Sequence, residues 1–462
     1  MEKLFMCGRF YVLINILSFM MVRVYGQDTG TTRHLTFDES IQIALTNSTT
    51  VLKGMNTVEL TGAQVLAAHG QFLPDAVAGG SYSYTAGNNF FTAAAPTLVN
   101  AQRTNLNYQV TTNINLYNGY ANRSSLKAAL LSKEVAEFSL TRAQQQVRLD
   151  ITQSYLQVML DREIVAFAQQ NLLTSKKREE QLNELVNVGR RPKSDLFQQQ
   201  AQTSIDQQFL TNSVNKLTID KILLLQRLRL DPLQNYEFDS VAIDESPLGV
   251  EFTSEQTLIE LAKNQRADLK SSQRSQEAAL WYIKRNRGGY LPKVFLTAGA
   301  FGTAASYSRL YINGADVLPN YTPQRSLGTQ LGEQIYGAAA LNVGWNIFDK
   351  YVTKSNMMNA RINASNARID LENVSLQIVA EIRQALGNYS TAVQQVETSQ
   401  KGLVAANQAF ETLSGRYSVG AANFIELSNA QNNLLLAKQN RAQAGISLFL
   451  QKRVIDFYLG GN

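Results

Sequence analysis

Cysteine and histidine are nearly missing. The chain has one Cys and two His in 462 residues, and only 17% of its residues are charged. The single cysteine, Cys7, sits beside a short apolar run, Tyr11 to Val22, preceded by Lys3 and Arg9. Val24-Tyr25-Gly26 then precedes Gln27, so residues 1–26 read as a secretory signal peptide cleaved near Gly26. A membrane anchor is the alternative, but the run is short for a span and contains Asn15. Cleavage removes Cys7, which leaves no disulfide, no thiol chemistry and no cysteine to carry a lipid. His34 and His69 are then too few for the common zinc sites or for a Cys/His nucleophile pair. No GxxxxGK[ST] phosphate loop is present. Carboxylates spread along helices read as surface ion pairs. Enzyme activity, metals and cofactors are therefore not expected.

Charge of one sign is also scarce. Cleavage takes away three basic residues and one acidic, lowering the net charge from +6 to +4. That is no footprint for nucleic acid. Beyond the leader there is no long apolar run, which excludes a conventional membrane helix bundle.

What is abundant is Gln, Asn, Ser, Thr and Ala, arranged in a repeat. Val188 to Gln200 reads VGRRPKSDLFQQQ and Tyr417 to Gln431 reads YSVGAANFIELSNAQ. Gly189 and Gly420, Asp195 and Glu426, Leu196 and Leu427, and Gln200 and Gln431 all share one offset, 231. The same offset carries Leu116, Tyr117 and Asn118 onto Ile347, Phe348 and Asp349. Upstream the offset is 218, carrying Phe72-Leu73-Pro74 onto Tyr290-Leu291-Pro292. The second copy is thus the longer between Pro292 and Asp349, by the difference of the two offsets. A repeat of this size governs the fold reading. The expected organisation is a flexible tail 27–34 holding His34, repeat one 35–230, a linker 231–253, and repeat two 254–459. His69 is expected at a helix end.

Each copy contains two strand-like stretches, about 75–90 and 104–117, then 293–309 and 333–348. Leu106, Tyr108, Val110, Thr112, Ile114 and Leu116 alternate with Asn107, Gln109, Thr111, Asn113 and Asn115. Leu341, Val343, Trp345 and Ile347 alternate with Asn342, Gly344 and Asn346. A period of two with one polar and one apolar face describes a strand between two solvents. A polar face of Asn, Gln and Thr suits a water-filled lumen, and Tyr108, Trp345 and Phe348 suit a membrane interface. A soluble β-sandwich also alternates but needs more strands than this chain offers. The connecting loops are expected at 91–103 and 310–332, the second holding the insertion and the turn signals Asn313-Gly314 and Pro319-Asn320. Four strands cannot close a barrel in lipid, so several chains must pool them.

After each strand pair comes a stretch without proline, about 120–188 and 351–419. As a helix each would run about 100 Å, a length that suggests a coiled coil. Ile151, Val158, Val165 and Leu172 recur with a heptad period, as do Ile382, Tyr389, Val396 and Leu403. A heptad period drives left-handed supercoiling. Each Val-Gly stretch then ends one helix and starts another, with Gly as the stop. Pro192 and Ser194 suit the next helix start, with Ser194 as N-cap. The two stretches are hairpin tips, far from the strands.

The residues LTFDESIQIALTNS (35–48), GQFLPD (70–75), LYNGYANRSSLKAA (116–129), NVGRRPKSDL (187–196) and RYSVGAANFIEL (416–427) resemble the TolC-type outer-membrane efflux and secretion channels. Their order, duplicated within one exported chain, carries the resemblance. It implies an α+β membrane protein in the outer membrane of a Gram-negative bacterium, a homotrimer with one twelve-stranded β-barrel and a periplasmic coiled-coil helical barrel. It implies docking at Val188, Gly189, Val419 and Gly420 by a periplasmic adaptor (membrane fusion) protein, which joins the channel to an inner-membrane pump. Asp195 and Glu426 would ring the periplasmic entrance, with Tyr417, Arg190 and Arg191 beside them. Two positions depart from the family pattern: Ala422 stands where a basic residue often lies, and Asn429 where some members have a second acid. Arg190, Arg191 and Lys193 crowd the first tip instead, as gate residues or as a solvated turn.

The function implied is the exit duct of a tripartite efflux pump for small molecules, with type I protein secretion as the alternative. A passive porin needs neither long helices nor paired tips, and a structural envelope coiled coil explains neither the alternating strands nor their aromatics. N-terminal sequencing of protein purified from membranes should read from near Gln27; a mature chain that retains Met1 contradicts the leader.

Overall fold

The computed structural model describes residues 33–93, 95–246, 254–317 and 325–460. The expected leader and its cleavage site lie outside the described residues, as do Pro319-Asn320 and part of the expected linker. The element order runs through one series twice. The first is α1 (Phe37–Asn47), α2 (Thr49–Gly70), β2 (Val77–Ala93), β3 (Ala95–Tyr117), α3 (Ala121–Asn187) and α4 (Lys193–Leu228). The second is α5 (Glu255–Gln265), α6 (Ala267–Arg287), β5 (Lys293–Ile312), β7 (Ile335–Gly344), α8 (Val352–Ser418) and α9 (Phe424–Tyr458). Two short strands, β1 (Arg33–Leu35) and β4 (Tyr236–Phe238), precede the series and join them; β6 (Ala315–Asp316) and α7 (Leu327–Glu333) fill the insertion. The long helices keep the repeat without slippage: 121 and 352, 187 and 418, and 193 and 424 are each 231 apart.

Packing divides the chain into two compact units. One is Met1–Ser48, Asp150–Glu245 and Val396–Leu450; the other is Thr49–Leu149, Ser246–Gln395 and Gln451–Asn462. Each unit draws on both repeats, so the repeats are interleaved and are not separate bodies.

The second unit holds an antiparallel sheet in the order β2-β3-β5-β7, with β6 paired to the far end of β5. Its polar face is stitched across strands. Thr303 Oγ1 donates to Asn107 Oδ1 at 3.0 Å, and Asn107 Nδ2 reaches Ser81 Oγ at 3.4 Å. Thr297 Oγ1 donates to Asn113 Oδ1 at 2.8 Å. Such cross-strand pairs stabilise a ladder while leaving the face wettable.

The strands run further than alternation indicates. Of the expected loop 91–103, residues 91–93 and 95–103 are strand, with pairing from Val77 opposite Thr111 to Ala93 opposite Ala95. Backbone pairing does not need apolar alternation, so the pattern fades before the ladder ends. At the other end alternation overreaches. Trp345, Ile347 and Phe348 lie beyond β7, because its partner β5 begins at Lys293 opposite Gly344. Past that point an edge strand has nothing to pair with.

The described part of the insertion is structured too. Asn313-Gly314 turns β5 into β6 with φ of 50° and 85°, the two positive values a type I′ hairpin turn requires. Between β6 and β7, α7 covers the exposed edge of β5. Gln330 Oε1 accepts from Ala305 N–H at 2.9 Å, and its Nε2 donates to the Ala305 carbonyl at 2.9 Å. One side-chain amide thereby does what a neighbouring strand would do for that residue.

In the first unit, β1 pairs in parallel with β4. His34 is therefore in a strand and not in a flexible tail, while His69 lies in the last turn of α2 as expected. The wholly buried Tyr155 holds this pair. Its hydroxyl lies 2.9 Å from the Leu35 carbonyl and 2.8 Å from that of Asp239. Burial pushes its pKa up to about 12. The heptad positions Ile151, Val158, Val165 and Leu172 are all buried. Leu156 and Leu160 of α3 pack against Ile446 and Phe449 of α9.

The second unit is tied by a charged knot where α5 meets α6. Arg266, 1% exposed, donates from Nε to Asp268 at 3.0 Å and from Nη1 to Glu381 of α8 at 2.5 Å. The Arg142 guanidinium sits 3.9 Å over the Phe457 ring at the end of α9. Burial pushes Asp268 up, but the hydrogen bonds and charge of Arg266 outweigh it and hold the carboxyl below its usual range. Such a group adds stability above the ordinary carboxylate pKa and loses it as pH falls through the lowered folded value. Replacing Arg266 with Ala should cost about 3 kcal/mol at pH 7, since it takes the cation from Glu381 and leaves Asp268 only Arg142, at 3.6 Å, in a partly dry site. Thermal melts should show the deficit shrinking in acid; a deficit unchanged down to pH 3 contradicts the assignment.

Candidate functional site: the paired helical tips

Two hairpin tips belong to the first unit. Helix α3 stops at Asn187 and α4 starts at Lys193; α8 stops at Ser418 and α9 starts at Phe424. Gly189 and Gly420 have φ of 74° and 76°, a left-handed conformation that glycine adopts without a Cβ penalty. Each makes the same cap. Gly189 N–H bonds the Val186 carbonyl at 3.0 Å and Arg190 N–H the Leu185 carbonyl at 2.8 Å. Gly420 N–H bonds the Tyr417 carbonyl at 3.1 Å and Ala421 N–H the Arg416 carbonyl at 2.8 Å. These are the paired bonds of a Schellman motif, which satisfy the last orphan carbonyls of a helix. A Cβ on either glycine would meet nothing within 4 Å. The glycines are needed for φ and not for space.

The caps present apolar side chains to water: Val188 is 68% exposed and Val419 79%. Behind them Leu182, Leu196, Tyr417, Phe424 and Leu427 form a small core, with Ala422 packed on it. Ala422, where the family pattern often has a basic residue, is thus part of the tip's packing.

Arg191 joins the two tips. Its Nη2 donates to the Tyr417 carbonyl at 2.8 Å, its guanidinium stands 4.4 Å over the Tyr417 ring, and Asp195 lies 3.9 Å away. Burial raises the Tyr417 pKa while Arg191 opposes the rise. The structure therefore brings together Arg191, Asp195 and Tyr417 from the expected set. Arg190 and Lys193 are exposed to solvent. Glu426 stands apart and exposed, bonded to its own helix start: its N–H donates to Asn423 Oδ1 at 2.9 Å, and Asn423 Nδ2 donates to its Oε1 at 3.1 Å. Asn423 so caps α9. The first tip has no equivalent. Ser194 is not the N-cap; α4 begins at Lys193 with Pro192 in the cap position and no side-chain bond. Proline's fixed φ already sets the helix entry there.

Sequence reasoning missed a buried polar layer behind the tips. Ser175 and Asp206 are hydrogen-bonded between α3 and α4, and Gln199 Nε2 donates to the Ser175 carbonyl at 3.2 Å. Arg178 donates to Gln431 Oε1, and Gln431 Nε2 donates to Asn171 Oδ1 at 2.7 Å. Burial lowers the Arg178 pKa. The Gln-rich run after Leu196 and Leu427 was the available signal, but Gln on a helix usually faces water. Beside the first tip, an open groove of about 740 Å³ is lined by Lys176, Glu179, Glu180, Asn183, Gln200 and Thr203, among others.

The three expected interface aromatics lie in the second unit. Tyr108 is half-buried: its ring occupies the space over Gly302 and its hydroxyl donates to the Leu331 carbonyl of α7 at 2.6 Å. Trp345 and Phe348 are 62% and 70% exposed in the turn after β7.

A sheet with one stitched polar face, in a chain with two 67-residue helices, is the fold of the outer-membrane channel-tunnels. Residues 258–461, the second copy, match the family model described as outer membrane efflux protein. The chain is 23% identical to outer membrane protein TolC of Salmonella enteritidis over 203 residues, 44% of this chain and 39% of that protein. The chain thus spans about two fifths of the length of the curated relatives it matches. Over the fold the likeness is nearly complete. The outer membrane protein VceC of Vibrio cholerae superposes with a TM-score of 0.76 at 16% identity, covering 92% of this chain and 96% of that one. The CmeC outer membrane channel of Campylobacter jejuni does so with a TM-score of 0.76 at 18% identity, covering 92% and 85%. The resemblance to TolC-type channels and the α+β fold read from the sequence are borne out in the fold, and the solved structures it matches are outer-membrane proteins.

Because both tip glycines stand in open space, the cost of replacing them should be set by φ alone. Gly420→Ala and Gly420→Trp should each loosen the tip by about 1 kcal/mol, read by hydrogen exchange at residues 415–425. A much larger effect for Trp would show that the tip is crowded.

Proposed function

We propose that the chain is the outer-membrane exit duct of an envelope export system. Three copies would pool their strands into one twelve-stranded barrel, continued by a tube of long helices in the periplasm. The observation that supports this most is the state of the sheet edges. Among the described residues, β2 and β7 are each paired on one side only. In hydrocarbon an unpaired edge costs several kcal/mol per backbone group, so spanning sheets must close. Four long strands are too few to close alone. Head-to-tail pairing of β7 with β2 of the next copy would close the ring.

The exposed Val188 and Val419, set on rigid caps, suit docking by a periplasmic adaptor that couples the duct to an inner-membrane pump. Efflux of small molecules is the activity favoured, because the family description of residues 258–461 is an efflux protein. Near the entrance, Arg191 partly neutralises Asp195, whereas Glu426 is exposed with no cation beside it among the described residues.

Native mass spectrometry of the purified protein should give a trimer; a monomer as the largest stable species overturns the pooled barrel. In single-channel recordings Glu426→Gln should reduce cation preference more than Asp195→Asn does. Equal effects, or none, remove these two residues from the entrance.

A further inference from the structure

We infer that the base of the sheet carries a basic and aromatic collar that binds the anionic phosphate headgroups of glycerophospholipids in the leaflet facing the helices. This rests on the outer-membrane reading above. Three chain segments converge there within the second unit. The turn from β3 to α3 meets the α6–β5 connector at Gly119 and Gly288, where a Cβ on Gly119 would lie 2.6 Å from the Gly288 carbonyl oxygen. The turn from β7 to α8 meets the same connector, with Trp345 Nε1 donating to the Tyr290 carbonyl at 3.1 Å. A Cβ on Gly289 would lie 2.7 Å from Thr353 Oγ1. Neither meeting leaves room for a side chain, so the three segments are held at one level.

That level is strongly basic. Residues 281–293, WYIKRNRGGYLPK, contain Lys284, Arg285, Arg287 and Lys293 and no acid. Both strand-to-helix turns add a cation at the same repeat position, Arg123 and Lys354, which are 231 apart. All six are exposed, and none is in an ion pair among the described residues. The one acid in 345–354, Asp349, accepts from Thr353 N–H at 2.8 Å and so caps α8.

Aromatics are interleaved with these cations. Lys284 Nζ lies 3.8 Å from the centre of the Trp281 ring, and Lys354 Nζ lies 5.7 Å from that of Tyr351. The two turns repeat one ring pair: Tyr117 with Tyr120 at 5.4 Å and Phe348 with Tyr351 at 5.5 Å, each edge to face. Tyr120 and Tyr351 are 61% and 65% exposed on left-handed backbone, φ 63° and 65°. A large aromatic is uncommon there, and both copies nonetheless place an exposed ring at the strand end. Rings at the headgroup level and unpaired cations beside them match a phospholipid interface. Each cation near an anionic surface is worth about 1 kcal/mol, roughly fivefold in affinity.

The test is native mass spectrometry of the full-length assembled protein from mixed micelles of equimolar phosphatidylglycerol and phosphatidylethanolamine, with lipopolysaccharide as a separate arm. The wild type should retain phosphatidylglycerol at least about fivefold over phosphatidylethanolamine. The Lys284→Gln, Arg285→Gln, Arg287→Gln triple variant should keep its assembly mass and lose the preference. The charge-keeping triple variant Lys284→Arg, Arg285→Lys, Arg287→Lys should retain it. Equal retention of the two phospholipids by the wild type overturns the collar, as does a preference for lipopolysaccharide or a preference surviving in the Gln variant. Vesicle insertion separates the two readings. Insertion without lipid preference sinks the collar alone, whereas failure to insert into vesicles of either composition sinks the membrane reading and the collar with it.

Discussion

Backbone groups at a sheet edge cannot be left unpaired away from water. In this chain β5 shows how far the fold goes to meet that demand. Its inner edge pairs with β3 over nearly its whole length. Its outer edge is covered in sections: β7 from Lys293 to Gly302, the Gln334 carbonyl to Thr303, the Gln330 amide to Ala305, then β6 beyond. A loop insertion has thus become an edge cover. The two outermost strands have no such cover among the described residues, and the pooled barrel proposed here would supply it.

The helical tips solve a different problem by duplication. Each long helix stops in the same Schellman cap, and the paired bonds recur at equivalent positions of the repeat. The caps are alike while their surroundings are not. The first tip supplies Arg191 to the second, and the second replies with a ring and a carbonyl from Tyr417. A duplicated backbone thereby carries unlike side chains, which lets one tip brace the other.

The repeat, the helix stops and the polar strand face are all legible in the residues. Glycine at a helix end, alternation across a strand and a fixed offset are local signals that need no neighbour to interpret. Trp345 and Phe348 read wrongly as strand because alternation continues there after the pairing partner has ended. The 91–103 segment reads wrongly as loop for the converse reason. His34 looks like tail because so short a strand carries no periodic signal, and only Tyr236–Phe238, far along the chain, makes it a strand.

By itself, then, the sequence determined where the long helices run and turn, that the strands alternate and that the chain is built twice, because backbone propensity and periodicity act over a few residues. Only the tertiary structure decided which polar side chains are buried and what they hold. Arg266, Gln330, Arg178 and Gln431 look in sequence like solvated helix or loop residues. Each takes its role from groups distant along the chain, or across a loop, that close packing brings within hydrogen-bond reach.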